Sequence, residues 1–141
     1  MALTSTATAH WEGSLFEGKG SVNLDSSGLG SFDINWKARS EGAASTTTPE
    51  ELLGAAHAAC FSMAFSNGLA KAGTPATALN TTADVTFVPG TGITGIKLTV
   101  RGDVPGIDAD AFAAAAEDAK VNCPVSQALA GVDITLDAAL A

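Results

Sequence analysis

The sequence predicts an α+β fold: N-terminal antiparallel strands, a long central buried helix, a β-hairpin, two further helices and a C-terminal strand. Three observations carry this. Apolar and polar residues alternate with period two from Phe32 to Arg39, a long apolar run with helix-start signals extends from Thr48 to Lys71, and two strand-like runs flank the turn Pro89-Gly90-Thr91-Gly92. At 141 residues and 46% apolar, the chain can bury a sizeable core, and with no repeats or linker residues 1–141 read as a single domain.

Taken in order, Ala7 to Glu12 and Gly18 to Asp25 read as short strands joined by glycine-containing turns. In the next segment Phe32, Ile34, Trp36 and Ala38 alternate with Asp33, Asn35, Lys37 and Arg39, so Arg39 is expected to end a third strand on its polar side. A small-residue loop then reaches Thr48-Pro49-Glu50-Glu51, in which Thr48 can cap, Pro49 fits the first turn and Glu51 completes a capping box. The helix to Lys71 is apolar around nearly its whole circumference and should be buried on all sides. A domain this small rarely encloses one helix, so a second copy of the chain is expected to cover it, giving an obligate homodimer. Leu79 to Val88 and Ile93 to Val104 form the hairpin. Asp108 caps a helix running to Lys120, Cys123-Pro124 opens a short helix to about Ala130, and Val132 to Asp137 is the last strand.

A net charge of −8 argues against nucleic acid or anionic membrane as a partner. The apolar stretch Leu52 to Phe65 is short, contains His57 and is diluted by alanine, so no membrane span is expected. The first twenty residues lack a basic segment followed by an apolar one, so no signal peptide is expected either, and the chain is expected to act in the cytoplasm. In that reducing compartment two cysteines point to redox or catalytic use, with buried bystander thiols as the alternative.

Few other groups are equipped for chemistry: there is no tyrosine, and the only histidines and arginines are His10, His57, Arg39 and Arg101. Position alone selects Cys123 as the nucleophile, because it sits at a helix start whose amides favour a thiolate, whereas Cys60 in mid-helix should be pushed up by burial. Cys60 can serve only beside a cation, for which Arg39, Arg101 and His57 are candidates. A zinc site from His57, Cys60, Cys123 and His10 lacks a paired knuckle, and neither metal nor cofactor is expected.

The run from Thr48 to Met63, Thr-Pro-Glu-Glu-Leu-Leu-Gly-Ala-Ala-His-Ala-Ala-Cys-Phe-Ser-Met, resembles the signature helix of the OsmC/Ohr family, the osmotically inducible and organic hydroperoxide resistance proteins. The likeness extends through His10-Trp11-Glu12-Gly13, Gly18-Lys19-Gly20, Pro105 to Ala109 and Cys123-Pro124-Val125-Ser126-Gln127. It thus covers nearly the whole chain in the right order. His57 and the placement of the arginine resemble the OsmC branch. Thr48 stands where the family often has Asn, and either residue caps.

The resemblance implies a thiol-dependent peroxidase, a hydroperoxide reductase with an antioxidant role in stress. Cys60 would attack the peroxide and Cys123 would resolve the sulfenate as a disulfide, which overrules the positional choice. It implies that Arg39 holds the reactive thiolate and that Glu50 orients Arg39, a pairing two parallel hydrogen bonds would fix. It also implies reduction by a dithiol such as a lipoylated protein. Leu53, Ala56, Phe61, Met63 and Ala64 around Cys60 would favour an organic hydroperoxide over hydrogen peroxide. The alternative is a non-catalytic hydroperoxide sensor or apolar-ligand-binding protein. Glu50 and Cys60 lie ten residues, hence about 15 Å, apart along one helix. If Glu50 serves Cys60 it must come from the partner, and two antiparallel helices would build two composite sites, with Arg39 travelling with Glu50.

Overall fold

The computed structural model describes residues 1–141. The chain forms two compact units, Met1–Leu52 and Leu53–Ala141.

In the first unit Thr8–Glu12 (β1), Lys19–Asn23 (β2) and Ser31–Ile34 (β3) pair antiparallel in that order, as the alternation and turns predicted. The third strand is shorter than expected. Asn35 turns the chain into a helix, Trp36–Glu41 (α1), by accepting the Ala38 amide proton on its side chain at 2.7 Å. Arg39 is therefore helical and does not end a strand. Alternation over the four residues after Asn35 cannot be told from a first helical turn, and the cap decided between them. After α1 the chain returns alongside β3 through the Thr47 amide, which donates to the Asp33 carbonyl at 2.9 Å.

The long helix, Pro49–Lys71 (α2), begins as predicted, with Thr48 Oγ1 accepting the Glu51 amide proton at 3.0 Å. Only half the capping box forms, because the Glu51 carboxylate accepts from the Thr47 hydroxyl instead, at 2.9 Å.

In the second unit α2 buries one stripe, His57, Phe61, Phe65 and Leu69, at helical spacing. Its other apolar residues, Ala55, Ala56, Ala59 and Met63, stay exposed, so within one chain the helix is not buried all round. Ala78–Val88 (β4) and Gly92–Asp103 (β5) form the predicted hairpin, with Gly90 and Gly92 supplying positive φ at the turn. Ala109–Asn122 (α3) is capped by Asp108, which accepts the Ala111 amide proton at 2.8 Å, and Pro124–Ala128 (α4) follows. Together they make the crossover that lets Ile134–Leu140 (β6) pair parallel to β5, giving the order β4-β5-β6. The core lies between sheet and helices: Leu98 and Val100 of β5 are fully buried with Phe61, Phe65 and Leu69 of α2 and Phe112 and Ala116 of α3. The Phe65 ring packs on those of Phe61 and Phe112 at centroid distances of 5.6 and 5.1 Å. No helix is long and apolar enough to cross a membrane.

Candidate active site

Cys60 follows His57 on α2 by three residues, less than one turn, so both project from one side of the helix. Cys123 ends α3 and begins α4; its amide donates to the Ala119 carbonyl at 2.9 Å, and Pro124, lacking an N–H, starts the new helix. Both thiols are free, and they lie close enough for each to shift the other's ionisation. Cys123 is fully buried. Cys60 is half-buried in the wall of a groove of about 600 Å³ whose other residues include Met63, Ala64 and Lys71 of α2, Ala115 and Ala119 of α3, and Pro124. Of the residues expected around Cys60 only Met63 and Ala64 line this groove; Phe61 falls on the buried stripe and joins the core.

The two sulfurs differ in their hold on a proton. Burial pushes the Cys60 thiol above its ordinary value, and its hydrogen bond and charge coupling to Cys123 raise it further against a smaller opposing effect of the Val125 amide. Burial also pushes Cys123 up, but the Ser126 amide, the Cys60 thiol, the Ser126 hydroxyl and the Val125 amide together outweigh it and bring Cys123 below its ordinary value. In this arrangement the first proton leaves Cys123, as the helix-start argument expected.

Behind the sulfurs lies a second polar pair. His57 is fully buried, its Nε2 stands 2.7 Å from Ser126 Oγ, and its Nδ1 has no partner; burial holds it below its ordinary value. Ser126 was not among the expected site residues. Its spacing from Cys123, the first-to-fourth spacing of a capping box at a helix start, was the available signal.

In the first unit the structure brings Arg39 and Glu50 together. Nε of Arg39 donates to Oε1 of Glu50 at 2.9 Å, and one terminal nitrogen pairs with the same oxygen at 2.8 Å. The Glu50 side chain is buried while that of Arg39 keeps about a third of its surface open, beside a hollow of about 90 Å³ lined by Trp11, Leu15, Ile34, Trp36 and Pro49. Arg101 is engaged elsewhere: it donates to both carboxylate oxygens of Asp137, at 3.1 and 3.3 Å, and holds that acid below the usual carboxylate range. No three His, Cys, Asp or Glu side chains converge as a metal would require.

Comparison with known proteins places these features in context. The OsmC-like protein family matches residues 41–137. The protein named peroxiredoxin OsmC of Escherichia coli K12 is 46% identical over 140 residues, covering 97% of this chain and 96% of its own. The fold is similar to that of an organic hydroperoxide resistance protein OsmC from Legionella pneumophila, with a TM-score of 0.78 and 26% identity over 99% of this chain and 98% of the other. It is similar too to the organic hydroperoxide resistance protein OhrB of Bacillus subtilis, with a TM-score of 0.75 and 26% identity over 96% and 98%.

Proposed function

This chain belongs to the OsmC family, and from that premise we propose that it is a thiol-dependent peroxidase that reduces organic hydroperoxides. The observation that carries the reading is the pair of free thiols near enough to shift each other's ionisation, Cys60 lining a largely apolar groove and Cys123 fully buried behind it. Cys60 as a thiolate attacks the outer oxygen of the hydroperoxide, the O–O bond breaks, and the alkoxide leaves and takes up a proton. Cys123 then attacks the sulfenic sulfur, the S–O bond breaks, and a Cys60–Cys123 disulfide and water result. A dithiol, such as a lipoylated protein, restores both thiols by exchange. Met63, Ala64, Ala115 and Ala119 in the groove favour substrates with an alkyl tail over hydrogen peroxide.

Cys60 holds its proton more tightly than Cys123, and an adjacent guanidinium would reverse that order. Arg39, fixed by buried Glu50, is suited to the task and to steadying the departing alkoxide. The ten-residue spacing of Glu50 and Cys60 on α2, and the exposed face carrying Ala55, Ala56, Ala59 and Met63, favour a homodimer in which Arg39 and Glu50 of the partner subunit serve each Cys60. Residues 1–141 then act as one domain, in a cytoplasmic setting where thiols are kept reduced.

Mixing a Glu50→Ala chain with a Cys60→Ser chain tests this. Each homodimer should be inactive toward cumene hydroperoxide with a dithiol reductant, while each mixed dimer should regain one working site. No recovery would exclude shared sites. Stoichiometric oxidation of wild type without turnover would favour a sensor over an enzyme.

A further inference from the structure

His57 is costly where it stands. It is fully buried, and its Nδ1 has no hydrogen-bond partner. A buried polar atom left unpaired costs about 1–3 kcal/mol, and an apolar residue of similar size would fill the site without that loss. What the imidazole contributes is its other nitrogen, Nε2, held 2.7 Å from Ser126 Oγ.

Ser126 is itself buried, and it occupies the third position of α4, counted from Cys123 as the cap. At this spacing the two side chains face each other across the first turn. The Cys123 sulfur closes no capping hydrogen bond of its own, and the Ser126 amide, the Ser126 hydroxyl and the Val125 amide each favour its thiolate. A serine hydroxyl has one proton to give and two lone pairs to accept with. If Nε2–H of His57 donates to Ser126 Oγ, the serine proton is turned toward the sulfur. This tautomer also leaves the orphaned Nδ1 as a bare lone pair rather than a stranded N–H.

Resting on the peroxidase reading, we propose that His57 and Ser126 form a two-link hydrogen-bond chain onto the Cys123 sulfur, preparing Cys123 as the attacking thiolate of the disulfide-forming step. In this chain of bonds Ser126 is the link that reaches the reacting sulfur, and so the catalytic residue for this step. His57 acts through Ser126 and is a positioning residue. The Cys123 thiolate attacks the Cys60 sulfenic sulfur; the S–S bond forms as the S–O bond breaks, and the expelled hydroxide takes from solvent a proton matching the one Cys123 released. Cys60 sulfur is reduced, Cys123 sulfur is oxidised, and no further reactant is needed. The ionisable group facing Cys123 is Cys60 of α2; Lys71 of α2 and Asp118 of α3 line the groove in front of Cys60.

The test separates the two steps. Reduced wild type and the variants Ser126→Ala, Ser126→Thr, His57→Leu and His57→Gln are each given one equivalent of cumene hydroperoxide between pH 6 and 9. Sulfenate is trapped with dimedone and disulfide is followed by quenched mass spectrometry. In Ser126→Ala and His57→Leu the sulfenate should accumulate, closure at pH 7 should slow by about three- to tenfold, and the midpoint of its pH profile should rise by about one unit. Ser126→Thr, which keeps the hydroxyl, and His57→Gln, which keeps a donor, should recover most of the rate. A closure profile in Ser126→Ala identical to wild type would overturn the proposal, even if His57→Leu fails to fold. A wild type forming no Cys60 sulfenate would instead remove the peroxidase reading beneath it.

Discussion

Of two neighbouring sulfurs, the one that gives up its proton first is present as a thiolate at the lower pH, and here local forces favour Cys123. Assigning the attack to Cys60 therefore makes a demand on Arg39 that can be measured. Oxidation of Cys60 rises with pH as its thiol ionises, and a guanidinium lowers the pH at which this happens. Arg39→Met should move the rising limb upward by about 1–3 units and slow the reaction at pH 7 by at least about tenfold, as read by stopped flow with cumene hydroperoxide. A superimposable profile would take Arg39 out of the site. The electrostatic preference for Cys123 was legible in the sequence, because Pro124 and the helix start are local features. The contact of His57 with Ser126 was not, since it joins residues 69 apart and exists only once α4 lies against α2.

At the scale of elements, α2 carries the assembly argument. If Glu50 of one copy lies opposite Cys60 of an antiparallel other, residue numbers across the pair sum to a constant, and Ala55 faces its own copy on the two-fold axis. Ala55 is exposed in the single chain and small enough for close helix approach. If the chain pairs in this way, Ala55→Asp would set two like charges together there and should leave a monomer in sedimentation velocity where wild type is a dimer; a dimer that persists would argue against this pairing. The helix itself, the hairpin and the Asp108 cap were readable from the sequence because caps, turns and periodicity act over a few residues. Two features escaped for opposite reasons. The Asn35 cap is local but was masked by a four-residue alternation, which put Arg39 on a strand. The parallel placement of β6 beside β5 depends on how α3 and α4 cross over, and no short stretch of sequence encodes that direction.

For the whole molecule, Cys60 and Cys123 matter beyond their chemistry because of what lies between them in the chain: the rest of α2, the entire β4-β5 hairpin and all of α3. Linking them ties off a loop of about 60 residues and removes conformations from the unfolded chain, a stabilisation on the order of 4 kcal/mol. Scanning calorimetry should place the oxidised protein's melting temperature about 10 °C above that of the reduced one, a gap absent from Cys123→Ser. If each catalytic round passes through this disulfide, it would stiffen the polypeptide and each reduction would loosen it again, so resistance to heat or protease would become a gauge of how recently the molecule met an oxidant.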